Sequence, residues 1–128
     1  MAGTTGVVSA GCHGGRSCAR VGGVTATNGS SSISQGFSAP AASTSVGFWY
    51  LVVCPDTVTY DWATATLRDN TTSTTVTLLP RTCTNNGTWV HVTHTIIAGH
   101  SYTISLISRD DNYASDPTYT MYDDVTTQ

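Results

Sequence analysis

The 128-residue sequence contains no lysine and no glutamate: every acid is Asp, every base is Arg, and charged residues make up only 10% of the chain. Helix surfaces favour Glu, Lys, Gln and Ala, so this absence argues against a mainly helical protein. Basic charge is also sparse in space. Five arginines stand singly at Arg16, Arg20, Arg68, Arg81 and Arg109 in a chain of net charge -3, which leaves no basic patch and excludes nucleic acid as an expected partner. No apolar run approaches the ~20 residues that span a bilayer, so no membrane partner is expected. Residues 1–11 lack the charged start and apolar centre of a signal peptide, and the sequence is expected to be a mature or excised fragment carrying an added Met1.

Catalytic signatures are missing as well. There is no Gly-x-Ser-x-Gly elbow to expose a nucleophile and no C-x-x-C spacing for zinc or redox chemistry. A glycosidase would need two carboxylates flanking a cleft, and a small sandwich with short loops offers little cleft. His91 and His94 differ in parity on one strand, so they cannot clasp one metal; His94 reads as a core histidine, His91 as a surface one, His13 as part of a cysteine loop and His100 as a turn residue. No enzyme is expected.

What is present is the composition of strands. Thr supplies roughly a fifth of the chain, with Val, Tyr and Trp beside it, and 39% hydrophobic residues in this length suit one domain, residues 1–128, around one core. Turn signals recur about every eight to twelve residues between segments of period-2 alternation, the pattern of a sandwich or barrel. Strands are predicted over 4–9, 18–23, 30–38, 46–54, 58–69, 73–80, 88–97, 101–109 and 117–126, with turns at Asp69-Asn70, Asn85-Asn86-Gly87 and Ala98-Gly99-His100. Parity turns Val90, Val92, His94 and Ile96 inward on the seventh strand, and Tyr102, Ile104 and Leu106 on the eighth. On the fifth, Ala63, Ala65 and Leu67 face the core, and the same parity places the Asp61 carboxylate there.

The four cysteines allow three pairings. Cys12-His-Gly-Gly-Arg-Ser-Cys18 reads as a tight loop that one bridge closes, which favours Cys12 with Cys18 and leaves Cys54 with Cys83 to join neighbouring strand ends; the alternative is four buried free thiols. Bridges place the chain in an oxidising, extracellular setting. The three sequons at Asn28, Asn70 and Asn86 matter only in a glycosylating host, and the composition reads as bacterial.

The eight aspartates cluster, and hard oxygen ligands at strand ends suit calcium. Asp110, Asp111 and Asp116 can supply several ligands from one loop. Asp123 shares parity with Tyr119, Met121 and Val125, so Asp61 and Asp123 both point at apolar surroundings, where a carboxylate needs a partner. The other reading has these loop carboxylates capping turns and Asp61 accepting backbone or Tyr hydrogen bonds. For a sugar, stacking needs flat aromatic faces: Tyr60 and Trp62 share a face away from the core, Trp89 faces away from Val90 and Val92, and Tyr113 sits in the acidic loop.

The stretch Cys12-His-Gly-Gly-Arg-Ser-Cys-Ala-Arg20, then Ser32-Ile-Ser-Gln-Gly-Phe37, Val46-Gly-Phe-Trp-Tyr50 and Tyr119-Thr-Met-Tyr-Asp-Asp-Val125, resembles the jelly-roll accessory domains of secreted bacterial hydrolases, a frame shared by carbohydrate-binding modules. Cys54-Pro-Asp-Thr-Val-Thr-Tyr-Asp-Trp62, Asp110-Asp-Asn-Tyr113 and Asp116-Pro-Thr-Tyr119 resemble a subset at the C-terminal ends of secreted peptidases such as the sedolisins. The resemblance implies an all-β jelly-roll β-sandwich of two antiparallel sheets, attached to a catalytic domain. Such modules open with an Asn-Gly-x-Phe-Glu strand whose Glu helps bind structural calcium; this chain begins at what should be the following strand, and an uncovered edge there invites a dimer. The expected function is a non-catalytic accessory domain of an extracellular hydrolase that binds polysaccharide or another insoluble polymer, with a structural Ca2+. A structural or interaction domain appended to a secreted peptidase, with no sugar binding, is the alternative.

Overall fold

Nine strands form two antiparallel sheets in a computed structural model that describes residues 5–9, 12–13, 17–23, 28–42, 44–55, 58, 61–85, 87–111 and 118–127. The strands are β1 (Thr5–Val8), β2 (Cys18–Gly22), β3 (Asn28–Ser38), β4 (Ser45–Val53), β5 (Trp62–Asp69), β6 (Thr74–Thr82), β7 (Val90–Thr95), β8 (Ser101–Asp111) and β9 (Tyr119–Thr127). A five-stranded sheet runs β1-β2-β9-β4-β7 and a four-stranded sheet runs β3-β8-β5-β6. This is a sandwich, one of the two architectures the alternation allows, and the jelly roll that the resemblance implies, with each expected strand in place.

Packing follows the pleat. Val46, Phe48, Tyr50 and Val52 of β4 meet Ala63, Ala65 and Leu67 of β5 and Tyr102, Ile104 and Leu106 of β8 in one buried cluster; burying a side chain such as Phe48 contributes roughly 2–3 kcal/mol. Tyr122 ties the layers together. Its ring meets Phe48 edge-on at 5.8 Å, and its hydroxyl donates to the Ile107 and Thr64 carbonyls of the opposite sheet at 2.8 and 3.2 Å. Burial raises its phenol far above the usual range, so it stays a donor.

Both expected bridges are present, Cys12–Cys18 and Cys54–Cys83. The second does more than join neighbouring strands: Cys54 follows β4 and Cys83 follows β6, so it staples one sheet to the other. Gly22 is fixed by space and conformation together. Its φ is +90°, and a Cβ there would lie 2.8 Å from the Thr118 carbonyl oxygen, so β2 can approach β9 only through glycine.

Three expectations change. Val90 does not face the core: β7 is an edge strand, Val90 is 39% exposed, Val92 and His94 are half-buried, and only Ile96 is enclosed. The ladder of β5 begins at Trp62, and Val58, assigned to that strand, is exposed. β8 continues through Asp111, so Asp110 belongs to a strand and not to a loop.

Candidate binding faces and the acidic end of the core

The inward set of β4 leaves Trp49 on the outer face of the five-stranded sheet. His91 is its direct cross-strand partner on β7, and the two rings stack with centroids 4.7 Å apart. Gly47 makes this geometry available: a Cβ there would meet the Val92 carbonyl oxygen at 3.1 Å and His91 Nε2 at 3.2 Å, so its bareness lets the imidazole lie down on the sheet. The loop closed by Cys12–Cys18 carries His13 onto the same indole, 4.0 Å away and 15° from parallel. Trp89, of the same parity as His91, lies 5.6 Å from His13 at a 60° tilt. Each such ring pair stabilises by about 0.5–1.5 kcal/mol beyond its area, so the disulfide loop is fastened across the face by aromatic contact.

Trp62 lies elsewhere, on the outer face of the four-stranded sheet. The Arg81 guanidinium covers its ring at 4.1 Å and that of Arg109, its direct partner on β8, stands 5.3 Å away. Trp62 and Trp89 are thus on opposite sides of the sandwich and do not build one platform. Tyr60 and Tyr113 lie outside the described residues.

At one end of the interior the core turns polar. Asp61 is wholly buried on the core side, as parity predicts, and accepts a hydrogen bond from the Thr118 hydroxyl at 2.6 Å. Asp110 is 1% exposed on the inward side of β8 beside Ser108. The β5–β8 register pairs Trp62 with Arg109 and Ala63 with Ser108, so Asp61, which precedes β5, and Asp110, near the end of β8, belong to the same end of the interior. Asp116 and the side chain of Asp111 lie outside the described residues.

Asp123 does not join this group. It pairs with Trp49 across β4–β9 and so points away from the core, and it lies five residues along β9 from Thr118, roughly 17 Å of extended chain. It is buried for another reason: the N-terminal segment covers it, with Cys12 and Cys18 Sγ and its carboxylate all within 4.8 Å. Those sulfurs are spent in the bridge and offer no thiolate to a metal.

The histidines serve structure in three ways. His91 and His13 stack on Trp49, His94 Nδ1 contacts the Thr95 carbonyl oxygen at 2.7 Å, and His100 Nδ1 lies 2.8 Å from Asp69 Oδ2. Asp69 Oδ1 also accepts the Thr71 and Thr72 amides, and the His100 contact, with these amides, holds its carboxyl below the ordinary value of 3.8. Trp49 is hard to single out in the sequence: alternation from Phe48 to Tyr50 puts it outside, but the uninterrupted run 46–53 hides the parity.

No protein-family model matches the chain, and no curated protein matches it. Its fold is shared with solved structures of low identity. A carbohydrate-binding module of family 61, determined in complex with β-1,4-galactotriose, superposes with a TM-score of 0.64 at 17% identity over 97% of this chain and 81% of that one. The second module described as a family 16 carbohydrate-binding module gives 0.61 at 14% identity, covering 98% and 86%. The cleaved adhesin domain K2 of Lys-gingipain gives 0.58 at 17% identity, covering 97% and 81%.

Proposed function

We propose that the chain is a non-catalytic accessory domain of an extracellular hydrolase, holding polysaccharide or another insoluble polymer near a linked catalytic domain through the outer face of its five-stranded sheet. The observation that carries this reading is the ring cluster of His13, Trp49, His91 and Trp89 on one side of a carbohydrate-module fold. Pyranose rings present flat C–H faces to aromatic rings and hydroxyls to the polar rim around them. Holding polymer beside an enzyme raises effective concentration without further contacts. Two disulfides suit a secreted bacterial protein. Retention on insoluble cellulose, chitin, xylan and protein fibres tests it: Trp89→Ala is expected to lose retention at unchanged melting temperature, and retention on none of these by the unmodified protein contradicts it.

Structural Ca2+ belongs to the same proposal. Asp61, bonded to the Thr118 hydroxyl, and Asp110, both enclosed at one end of the interior, are hard oxygen donors of the kind calcium takes. An ion there would be held by Asp61 and Asp110 and would serve structure only. Calcium is expected to raise the melting temperature and EDTA to lower it; a melting curve indifferent to both rejects the metal. The bare strands β1 and β7 at the edges of the five-stranded sheet offer a route to a dimer, read by sedimentation.

The likeness to an adhesin domain favours a second reading, an interaction domain appended to a secreted peptidase such as a sedolisin, with no affinity for sugar. Binding to protein fibres but to no polysaccharide selects it.

A further inference from the structure

Beyond the rings, the outer face of the five-stranded sheet continues over β9 and β2 to β1, where it opens into a groove of about 480 Å3 lined by Val7, Ser9, Ser17, Arg20, Tyr119 and Met121. Arg20 stands at its centre, opposite Met121 on one side and Gly6 on the other. Gly6 has no side chain, and a Cβ there would find nothing within 4 Å, so the β1 side of the groove is open. Arg20 Nε is nevertheless buried and has no hydrogen-bond acceptor among the described residues. A buried donor without an acceptor is costly, and folding does not leave one without a gain elsewhere.

We propose that this groove binds the carboxylate of an acidic saccharide, a uronic acid unit, through Arg20. The inference rests on the polysaccharide-binding reading and names its substrate class. The Nε–H and one Nη–H of a guanidinium form a parallel pair that matches the two oxygens of a carboxylate; because Nε is closed to solvent in the free chain, the pairing includes a rotation of the Arg20 side chain towards the groove on binding. The other contacts fit the rest of such a sugar: the Tyr119 ring for its C–H face, and the Ser9 and Ser17 hydroxyls for its own. Arg81 and Arg109 are engaged over Trp62, whereas Arg20 Nε has no acceptor among the described residues. Asp123, the nearest described acid along β9, is turned to the Cys12–Cys18 bridge, so its carboxylate does not fill the groove. A peptide carboxylate shares the anion but not the ring and hydroxyl partners, which favours sugar over protein.

Calorimetric titration of the intact chain tests this with an oligogalacturonate, its methyl ester, and a short Asp-rich peptide. The free acid is expected to bind, the ester at least tenfold more weakly, and the difference to shrink as salt rises. Arg20→Gln is expected to cost the free acid tenfold or more. Arg20→Lys keeps the charge and loses the paired donors, so it is expected to fall between the two; both variants are compared at equal melting temperature. Equal binding of acid and ester, binding of none of the three probes, preference for the peptide, or an Arg20→Gln variant that binds like the parent overturns the inference. Retention on insoluble polymer lost in Trp89→Ala reads the parent proposal separately, so either can fail alone.

Discussion

The two outer faces of the sandwich obey the same alternation yet dispose of their polar and aromatic groups in opposite ways. On the four-stranded sheet the outward groups satisfy one another: Ser34 and Ser105 hydroxyls meet at 2.9 Å, Asn70 donates to the Thr103 hydroxyl at 3.0 Å, and the Thr64 hydroxyl donates to the Leu79 carbonyl at 2.8 Å where Pro80 interrupts the ladder. Its one tryptophan, Trp62, is capped by Arg81. On the five-stranded sheet the rings are gathered by a disulfide loop, and Arg20 Nε has no acceptor among the described residues. Among the described residues, the first face sets its tryptophan under guanidinium groups, while the second gathers two tryptophans and two imidazoles and carries a donor without an acceptor. A strand pattern sets which side a residue takes, and what its neighbours already satisfy sets whether that side can bind.

The largest test of this contrast removes the staple that holds the faces back to back. Replacing Cys54 and Cys83 by Ala frees a loop spanning 29 residues of separation and is expected to cost about 3–4 kcal/mol on loop entropy, read by denaturant unfolding. Replacing Cys12 and Cys18, six residues apart, is expected to cost about 2 kcal/mol and also to reduce polymer retention, because His13 leaves the Trp49 ring. The contrast breaks if the first pair alone affects retention in molecules that remain folded.

A smaller effect separates the faces directly. Trp89→Ala is expected to weaken polymer binding about tenfold, roughly 1.4 kcal/mol, and Trp62→Ala to leave it unchanged; the reverse result moves the binding face to the other sheet.

The smallest effect lies at a turn that belongs to neither face. The His100 contact and the Thr71 and Thr72 amides lower the Asp69 carboxyl, so its stabilisation is complete above the ordinary value of 3.8 and fades as pH falls through the lower folded value. Asp69→Asn is therefore expected to melt below the parent at neutral pH, with the gap closing in acid. Polymer retention is expected to stay the same throughout.

Much of the fold is legible in the sequence because turn chemistry and period-2 alternation act locally. Ala63, Ala65 and Leu67 were placed correctly because β5 lies inside its sheet, with polar groups on its other side. Val90 was not, because parity cannot say that a strand lies at an edge with too little above it. Asp123 was misplaced for the converse reason: β9 is covered on both sides, so Met121, Tyr122 and Asp123 are all buried and alternation carries no information there. The candidate site was legible only in part. Trp89 could be assigned to an outer face, but bringing His13 to Trp49 needs the disulfide loop to fold across β4, a long-range event that no local pattern records.

The chain has only three tryptophans, two on the proposed binding face and one on the other, so their indole N–H resonances are built-in reporters. Titrating a soluble oligosaccharide of the retained polymer is predicted to shift the Trp49 and Trp89 signals in a saturable way and leave Trp62 in place. Movement of Trp62 with Trp49 and Trp89 still would contradict the account.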